Sequence, residues 1–265
     1  MITDLWLTRH GESVGNVAAT AAERAGLDVI AIDERDADVP LSATGAEQAA
    51  ALGAWLAAHG DDVGTVWVSP YLRARQTLAI AQQEAGSTVV ALSDERLRDR
   101  ELGVLDLLTR RGVARLHPGE AERRRRLGKY YHRPPGGESW ADVRLRLRSF
   151  LSDALRADSA ASGGALIVAH DAVVLLIVSL LMAWDEEQLL EFAAENTVLN
   201  ASVTHLVRGG DAWRLRVFSD VAASVTHLVR GGDAWRLRVF SDVAHLQREG
   251  ADVTVHPGSP DVEPE

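Results

Sequence analysis

The sequence predicts an α/β protein built on an open, mostly parallel sheet. Short apolar runs suited to buried strands alternate along the chain with stretches of helical periodicity. Three of those runs stop abruptly at polar residues: Leu5-Trp6-Leu7 before Thr8-Arg9-His10, Thr65-Val66-Trp67-Val68 before Ser69-Pro70, and Leu166-Ile167-Val168-Ala169 before His170-Asp171. The last is nearly continuous in apolar residues, as a central parallel strand should be.

Composition sets outer bounds. The chain has 265 residues, 46% apolar and 25% charged, which fits an ordinary folded protein and argues against disorder. A formal net charge of −10 argues against a general nucleic-acid or acidic-membrane binder. An anionic ligand must therefore be held by a local cationic pocket. The chain has no cysteine, so disulfides, thiolate catalysis and cysteine-ligated metals are excluded. The opening Met1-Ile2-Thr3-Asp4 lacks the basic and apolar pattern of a secretion leader, and a cytoplasmic location is expected. Ala165 to Trp184 is apolar, but His170-Asp171 divides it into halves too short to cross a bilayer. It reads as a buried strand followed by a buried helix.

Taken in order, the first strand delivers Arg9, His10 and Gly11 at its end. Arg9 is permanently charged and forks onto oxyanions. His10 offers a nucleophile or a proton carrier near neutral pH. Gly11 lets the backbone turn and approach a ligand closely. A solvated polar turn explains the same residues equally well. Residues 13–40 read as a helix followed by a loop, with Asn16 one turn beyond the Arg-His pair and Asp33 to Pro40 as an acidic surface loop. Thr44-Gly45-Ala46-Glu47 reads as a capping box opening a helix to about His59.

Thr65 to Val68 is the second strand. Ser69 is expected to cap the next helix, with Pro70 in its first position and Arg73 in its first turn, near a sheet end where ligands gather. Thr88 to Leu92 is the third strand. Asp99 and Glu101 follow it as two acids able to give a proton, or as members of an ion-paired loop. Residues 104–135 form an excursion with the run Arg123-Arg124-Arg125-Arg126, either a lid over an anionic substrate or a solvated helix face. Ser139, with Asp142 three residues on, caps a helix to about Ala157. Asp185 to Gln188 opens a short helix. Asn196 to Arg208 reads as a strand, Gly209-Gly210 as a turn and Trp213 to Phe218 as the returning strand. The tail from Gly250 is polar and expected to fray.

Residues 201–222 recur without a change at 223–244, an offset of 22 residues. Two copies do not make a solenoid. Each copy encodes one hairpin, and the sheet is expected to seat the first. The second is then an extra hairpin at an edge, loose, or paired with another molecule, so a homo-oligomer stays open.

The ordered blocks resemble the histidine phosphatase superfamily over residues 3–222. They are Arg9-His10-Gly11-Glu12, Leu41-Ser42 with Gly45, Ser69-Pro70-Tyr71-Leu72-Arg73-Ala74-Arg75-Gln76-Thr77, Leu97 to Gly103, Gly136-Gly137-Glu138-Ser139 and Val168-Ala169-His170. The resemblance implies the phosphoglycerate-mutase-like fold, a three-layer αβα arrangement, here with the duplicated hairpin at residues 223–244 and a tail at 245–265 appended. It further implies transfer of a phosphoryl group from a small phosphorylated metabolite to His10, without metal or cofactor. Arg9, Arg73 and His170 would surround the transferring oxygens, and Asp99 would be the proton donor. Asn16, Gly11, Glu101 and Asp171 would bind substrate. Two residues depart from the family's common pattern: Asp99 stands where glutamate is usual, which leaves Glu101 as a substitute, and Asp171 stands where glycine is usual. The implied activity is a phosphatase. A phosphomutase, or a catalytically weak phospho-ligand-binding protein, is the alternative.

Overall fold

The computed structural model describes residues 2–155, 163–210, 212–220, 228–231, 234–237 and 254. Its strands are β1 (Asp4–Arg9), β2 (Val63–Val68), β3 (Ala91–Ser93), β4 (Gly164–Ala169), β5 (Val203–Gly209), β6 (Ala212–Asp220), β7 (Leu228–Gly231) and β8 (Ala234–Leu237). The helices are α1 (Val14–Arg24), α2 (Ala43–His59), α3 (Leu72–Ala85), α4 (Arg110–Leu116), α5 (Pro118–Tyr131), α6 (Trp140–Ala154), α7 (Asp171–Leu181) and α8 (Glu186–Glu195).

Six strands form one sheet in the order β3-β2-β4-β1-β5-β6. The first four are mutually parallel, and β5 runs antiparallel to β1 and pairs with β6 as a hairpin. Side chains alternate across this sheet with the period of two that strands impose. Leu5 and Leu7 of β1 and Ala165, Ile167 and Ala169 of β4 join the cluster under α6 and α7. Trp6, Leu166 and Val168 join the opposite cluster with Leu52 and Leu56 of α2 and Leu78 of α3. The result is a three-layer αβα fold with a largely parallel centre.

Local details refine the expected elements. The capping box at Ser139 and Asp142 forms as expected. The one expected at Thr44 does not: the cap lies two residues earlier, at Ser42, which accepts from the Gly45 N–H. Ser69 does not cap α3 either. That helix begins after Tyr71 with no side-chain cap; the Ser69 hydroxyl accepts the Tyr71 N–H at 3.3 Å and faces His170. The third strand lies at Ala91–Ser93 rather than 88–92, since only those residues meet β2 in register. Val90 is left 79% exposed. Asn196 to Ser202 is a loop and not the start of a strand; β5 begins at Val203, where pairing with Thr8 begins. Helix α6 ends at Ala154.

Residues 104–135 contain α4 and α5, with a kink at Gly128. Arg123 pairs with Glu120 and Arg125 with Glu122, each one turn apart, so two cations of the basic run are matched on the same helix. No helix among the described residues is long and apolar enough to cross a membrane.

Both copies of the repeat form hairpins in the same register. The pairs Leu206↔Leu215, Val207↔Arg214, Arg208↔Trp213 and Gly209↔Ala212 recur as Leu228↔Leu237, Val229↔Arg236, Arg230↔Trp235 and Gly231↔Ala234. The first copy completes the main sheet, and the second makes a separate two-stranded one. Beyond it, Thr254 accepts from the Gln48 side-chain amide at 2.8 Å, so this residue of the expected frayed tail is tied to α2.

The main sheet is complete without the second hairpin. Deleting residues 223–244 joins Ala222 to His245, the same Ala-His junction that Ala244 makes now. We expect the shortened chain to keep the thermal midpoint of the full chain by calorimetry. A fall of several degrees would show that the second copy supports the sheet.

Candidate active site

Strand register assembles the site. Arg9 of β1 sits opposite Ala169 of β4, and the His10 N–H continues that ladder onto the Ala169 carbonyl at 2.9 Å. The next residue of each strand is therefore a histidine. The two rings meet edge to face with centroids 5.2 Å apart. On the other side of β4, Ser69 at the end of β2 donates its N–H to the Val168 carbonyl and places its hydroxyl 2.8 Å from Nε2 of His170. Ligands of open α/β sheets gather at such carboxyl ends.

The ring of His10 is held at both nitrogens. Its Nδ1 lies 2.7 Å from the Gly11 carbonyl, and the Arg73 Nε–H lies 3.2 Å from its Nε2. A carbonyl can only accept and a guanidinium can only donate, so the proton sits on Nδ1 and the lone pair on Nε2. Burial, then the charges of Arg73, His170 and Arg9, hold the imidazole well below its ordinary proton affinity. His10 is thus neutral at physiological pH with Nε2 available as a nucleophile.

Arg73 joins the remaining groups. Its Nη2 donates to Asp99 Oδ2 at 2.9 Å, and its Nη1 donates to the carbonyl and carboxylate of Asp36 at 2.6 and 2.8 Å. Asp99 also lies 3.2 Å from His170 Nδ1. Burial alone would raise the Asp99 carboxyl, but the His170 ring, Arg73 and the Arg100 N–H outweigh it and hold the group well below the usual carboxylate range. Arg9 is buried and donates to the Val198 carbonyl at 2.7 Å. Burial lowers its proton affinity, while the fields of Asp171 and Asp99 oppose that and Arg73 adds to it.

The other expected site residues lie around this cluster. Glu101 accepts from the Tyr71 hydroxyl at 2.9 Å, so Asp99 is the carboxylate on Arg73 and His170. Gly11 gives its N–H to the Thr77 hydroxyl, and a side chain there would meet the Gly45 carbonyl at 2.5 Å. Its close approach is to α2. Asn16 completes the α1 capping box through Ser13, and its side-chain oxygen also accepts from Asn200 at 3.4 Å. Asp171 opens α7, where its carboxylate accepts the Ala172 N–H and favours the helix terminus.

Four participants carried no functional expectation. Asp36 lay in a stretch read as surface loop, Ser69 in a cap, Tyr71 in a helix entry, and Asn200 in a strand. Asn200 donates to the His10 carbonyl at 3.0 Å, and the Tyr71 ring lies edge-on to His170 with Arg73 5.0 Å above it. His10, Asp99 and His170 have donor atoms within 4.8 Å of one another and could ligate a cation. Arg73, hydrogen-bonded to two of the three, favours an anionic guest instead.

This is a cluster of two buried histidines, two buried arginines and an aspartate at the carboxyl edge of an αβα sheet. The chain belongs to the histidine phosphatase superfamily (branch 1), whose family model matches residues 5–221. It is 33% identical over 162 residues to a phosphoglycerate mutase-like protein of Arabidopsis thaliana, covering 57% of this chain and 52% of that one. The chain therefore spans about half the length of that relative. A 2,3-bisphosphoglycerate-dependent phosphoglycerate mutase of Methylobacterium radiotolerans is 29% identical over 206 residues, covering 76% of this chain and 91% of its own. Among solved structures, a mycobacterial glucosyl-3-phosphoglycerate phosphatase superposes with a TM-score of 0.65 at 26% identity, covering 82% and 98% of the two chains. The fold and the His–Asp cluster are those of a histidine-phosphatase-type enzyme.

The neutral state of His10 has a measurable cost. In the unfolded chain the ring takes up its proton near the ordinary value of 6.5, and in the folded protein only at lower pH. Stability is therefore unaffected by this group above that value and falls as the pH drops below it. Urea unfolding should show a smaller acid loss in His10→Gln than in the parent. Identical pH slopes would contradict the buried neutral ring.

Proposed function

We propose that the chain is a phosphatase that hydrolyses a phosphate monoester of a small metabolite through a phosphohistidine at His10. The observation that carries this reading is the double hold on the ring, by the Gly11 carbonyl and the Arg73 Nε–H, which presents a lone pair beside a guanidinium.

In the first step Nε2 of His10 attacks phosphorus in line with the ester oxygen. The N–P bond forms, the P–O bond to the alcohol breaks, and Arg9, Arg73 and His170 take up the charge on the other oxygens. The ester enters as its monoanion and passes its phosphate proton to Asp99, which delivers it to the departing oxygen. In the resting site Asp99 is ionised against Arg73 and His170. A phosphate that draws Arg73 onto its own oxygens removes one of those partners and raises the proton affinity of Asp99. In the second step the ionised Asp99 takes a proton from water, the resulting hydroxide attacks phosphorus, and the N–P bond breaks to release inorganic phosphate and free His10.

His10→Ala should reduce phosphate release from p-nitrophenyl phosphate to background and abolish an acid-labile, base-stable phosphoenzyme. Retained hydrolysis would reject the nucleophile. Asp99→Asn should slow hydrolysis of an alkyl phosphate by about 10²- to 10⁴-fold. The loss should be smaller on p-nitrophenyl phosphate in a single-turnover phosphorylation assay, because that leaving group departs without a proton. Equal losses on both esters would remove Asp99 from proton transfer. Product analysis separates hydrolysis from the mutase reading: a mutase returns the phosphate to another hydroxyl and releases little of it free.

A further inference from the structure

Asp36 takes no part in the proposed chemistry, yet it meets Arg73 through three oxygen atoms. Its backbone carbonyl and Oδ1 both accept from Nη1, at 2.6 and 2.8 Å, and its Oδ2 lies 3.4 Å from Nη2. With His10 on Nε and Asp99 on Nη2, every nitrogen of this guanidinium has a partner within the chain. The Asp36 side chain is 41% exposed and that of Arg73 is 5% exposed, so the carboxylate reaches from the solvent rim onto a buried cation.

The segment that carries Asp36 is fixed at several points. Asp36 opens a short 3-10 turn that ends at Asp38, and Val39 behind it is buried. The Pro40 carbonyl accepts from Val14, and the Leu41 N–H donates to the Gln76 side chain of α3. The carboxylate is therefore placed by backbone that packs on α1 and α3. Its field reaches further. It is among the causes that push up the buried Tyr71 hydroxyl and the half-buried Asp106 carboxyl. The two guanidiniums of the site thus face three carboxylates: Asp36 and Asp99 on Arg73, and Asp171 and Asp99 on Arg9. Two guanidiniums against three carboxylates leave no formal cationic surplus for a second anion on the substrate.

We propose that Asp36 is a specificity-determining residue that makes the site selective for phosphate monoesters whose alcohol portion carries no negative charge. The inference rests on the reading of this pocket as a phosphomonoester site. The carboxylate occupies the outer edge of Arg73 and sets a negative charge on the rim, beside the cation that would hold the phosphate. A second anionic group on a substrate held by Arg73 meets that charge at close range, and like charges in contact are costly. A hydroxyl in the same place meets a hydrogen-bond acceptor.

Glycerol 3-phosphate and 3-phosphoglycerate test this, since they share a phosphate on a three-carbon chain and differ by a hydroxymethyl against a carboxylate. Affinities are measured by calorimetry on the full chain carrying His10→Ala, with and without Asp36→Asn or Asp36→Glu. The parent should prefer glycerol 3-phosphate by about tenfold or more, the effect of roughly one rim charge. Asp36→Asn keeps the shape and the main-chain contact, and should bring the two affinities within about twofold by tightening 3-phosphoglycerate. Asp36→Glu should retain the preference.

A parent without preference, a ratio that Asp36→Asn does not move, equal weakening of both ligands in that variant, or binding of neither ester would each overturn the proposal. The two readings fail separately. If the chain with His10 intact releases no phosphate from any ester while the binding ratio still responds to Asp36, hydrolysis is lost and the charge selectivity stands.

Discussion

The site depends on a single shared arrangement of protons around His10. The Gly11 carbonyl demands a donor at Nδ1, and the Arg73 Nε–H demands an acceptor at Nε2. One tautomer of one charge state satisfies both. Everything else reinforces it. Burial and three flanking cationic or basic groups disfavour a second proton. The hydroxyl of Thr77 takes the Gly11 N–H and donates to the Arg73 carbonyl, linking the turn after His10 to the helix that carries the arginine. A second link runs through α2. Ser42 donates its N–H to the Glu12 carbonyl and its hydroxyl to the Glu12 carboxylate, while Glu12 gives its N–H to Gln48. Gly45 permits this, because a side chain there would meet the Glu12 carbonyl at 1.9 Å.

The sheet supplies the precision that loops alone would lack. β1, β4 and β2 lie side by side in parallel, so their polar ends arrive together at one edge. Ser69, His170 and His10 follow from that register as neighbours. Asp99 and Arg73 come from segments beyond β3 and β2, and their charges complete the site.

Much of this was legible in the sequence where the signal was local. A run such as Leu166 to Ala169 that stops at a histidine announces both a buried strand and a polar group at its end. The Ser139–Asp142 capping box was equally plain. Several of the failures share a cause, in that a distant partner outcompeted a local rule. Ser69 before Pro70 has the pattern of a helix cap, yet its hydroxyl serves His170 across 101 positions of chain. Asn196 to Ser202 has strand-like composition, but that loop sends Asn200 to the His10 carbonyl and the Ala201 N–H to the Arg9 carbonyl. Ala201 adopts a positive φ of 54° to do so. Asp36 was hidden most completely, because an aspartate in an acidic polar stretch carries no sign of the cation it will meet 37 residues later. Val89 and Val90 pulled the expected third strand toward themselves by β-propensity, although no partner strand reaches them.

The repeated hairpin also sets how far the remainder of the chain must travel. Two antiparallel strands of equal length bring the chain back to the place it left, so inserting such a unit adds residues with almost no net displacement. A helix or a lone strand of the same residue count would shift everything downstream by tens of ångströms. Thr254, which lies 3.5 Å from the Asn200 side chain and is joined to Gln48, comes after both copies and still reaches the scaffold. A scaffold of this kind tolerates growth at a point where the added segment closes on itself.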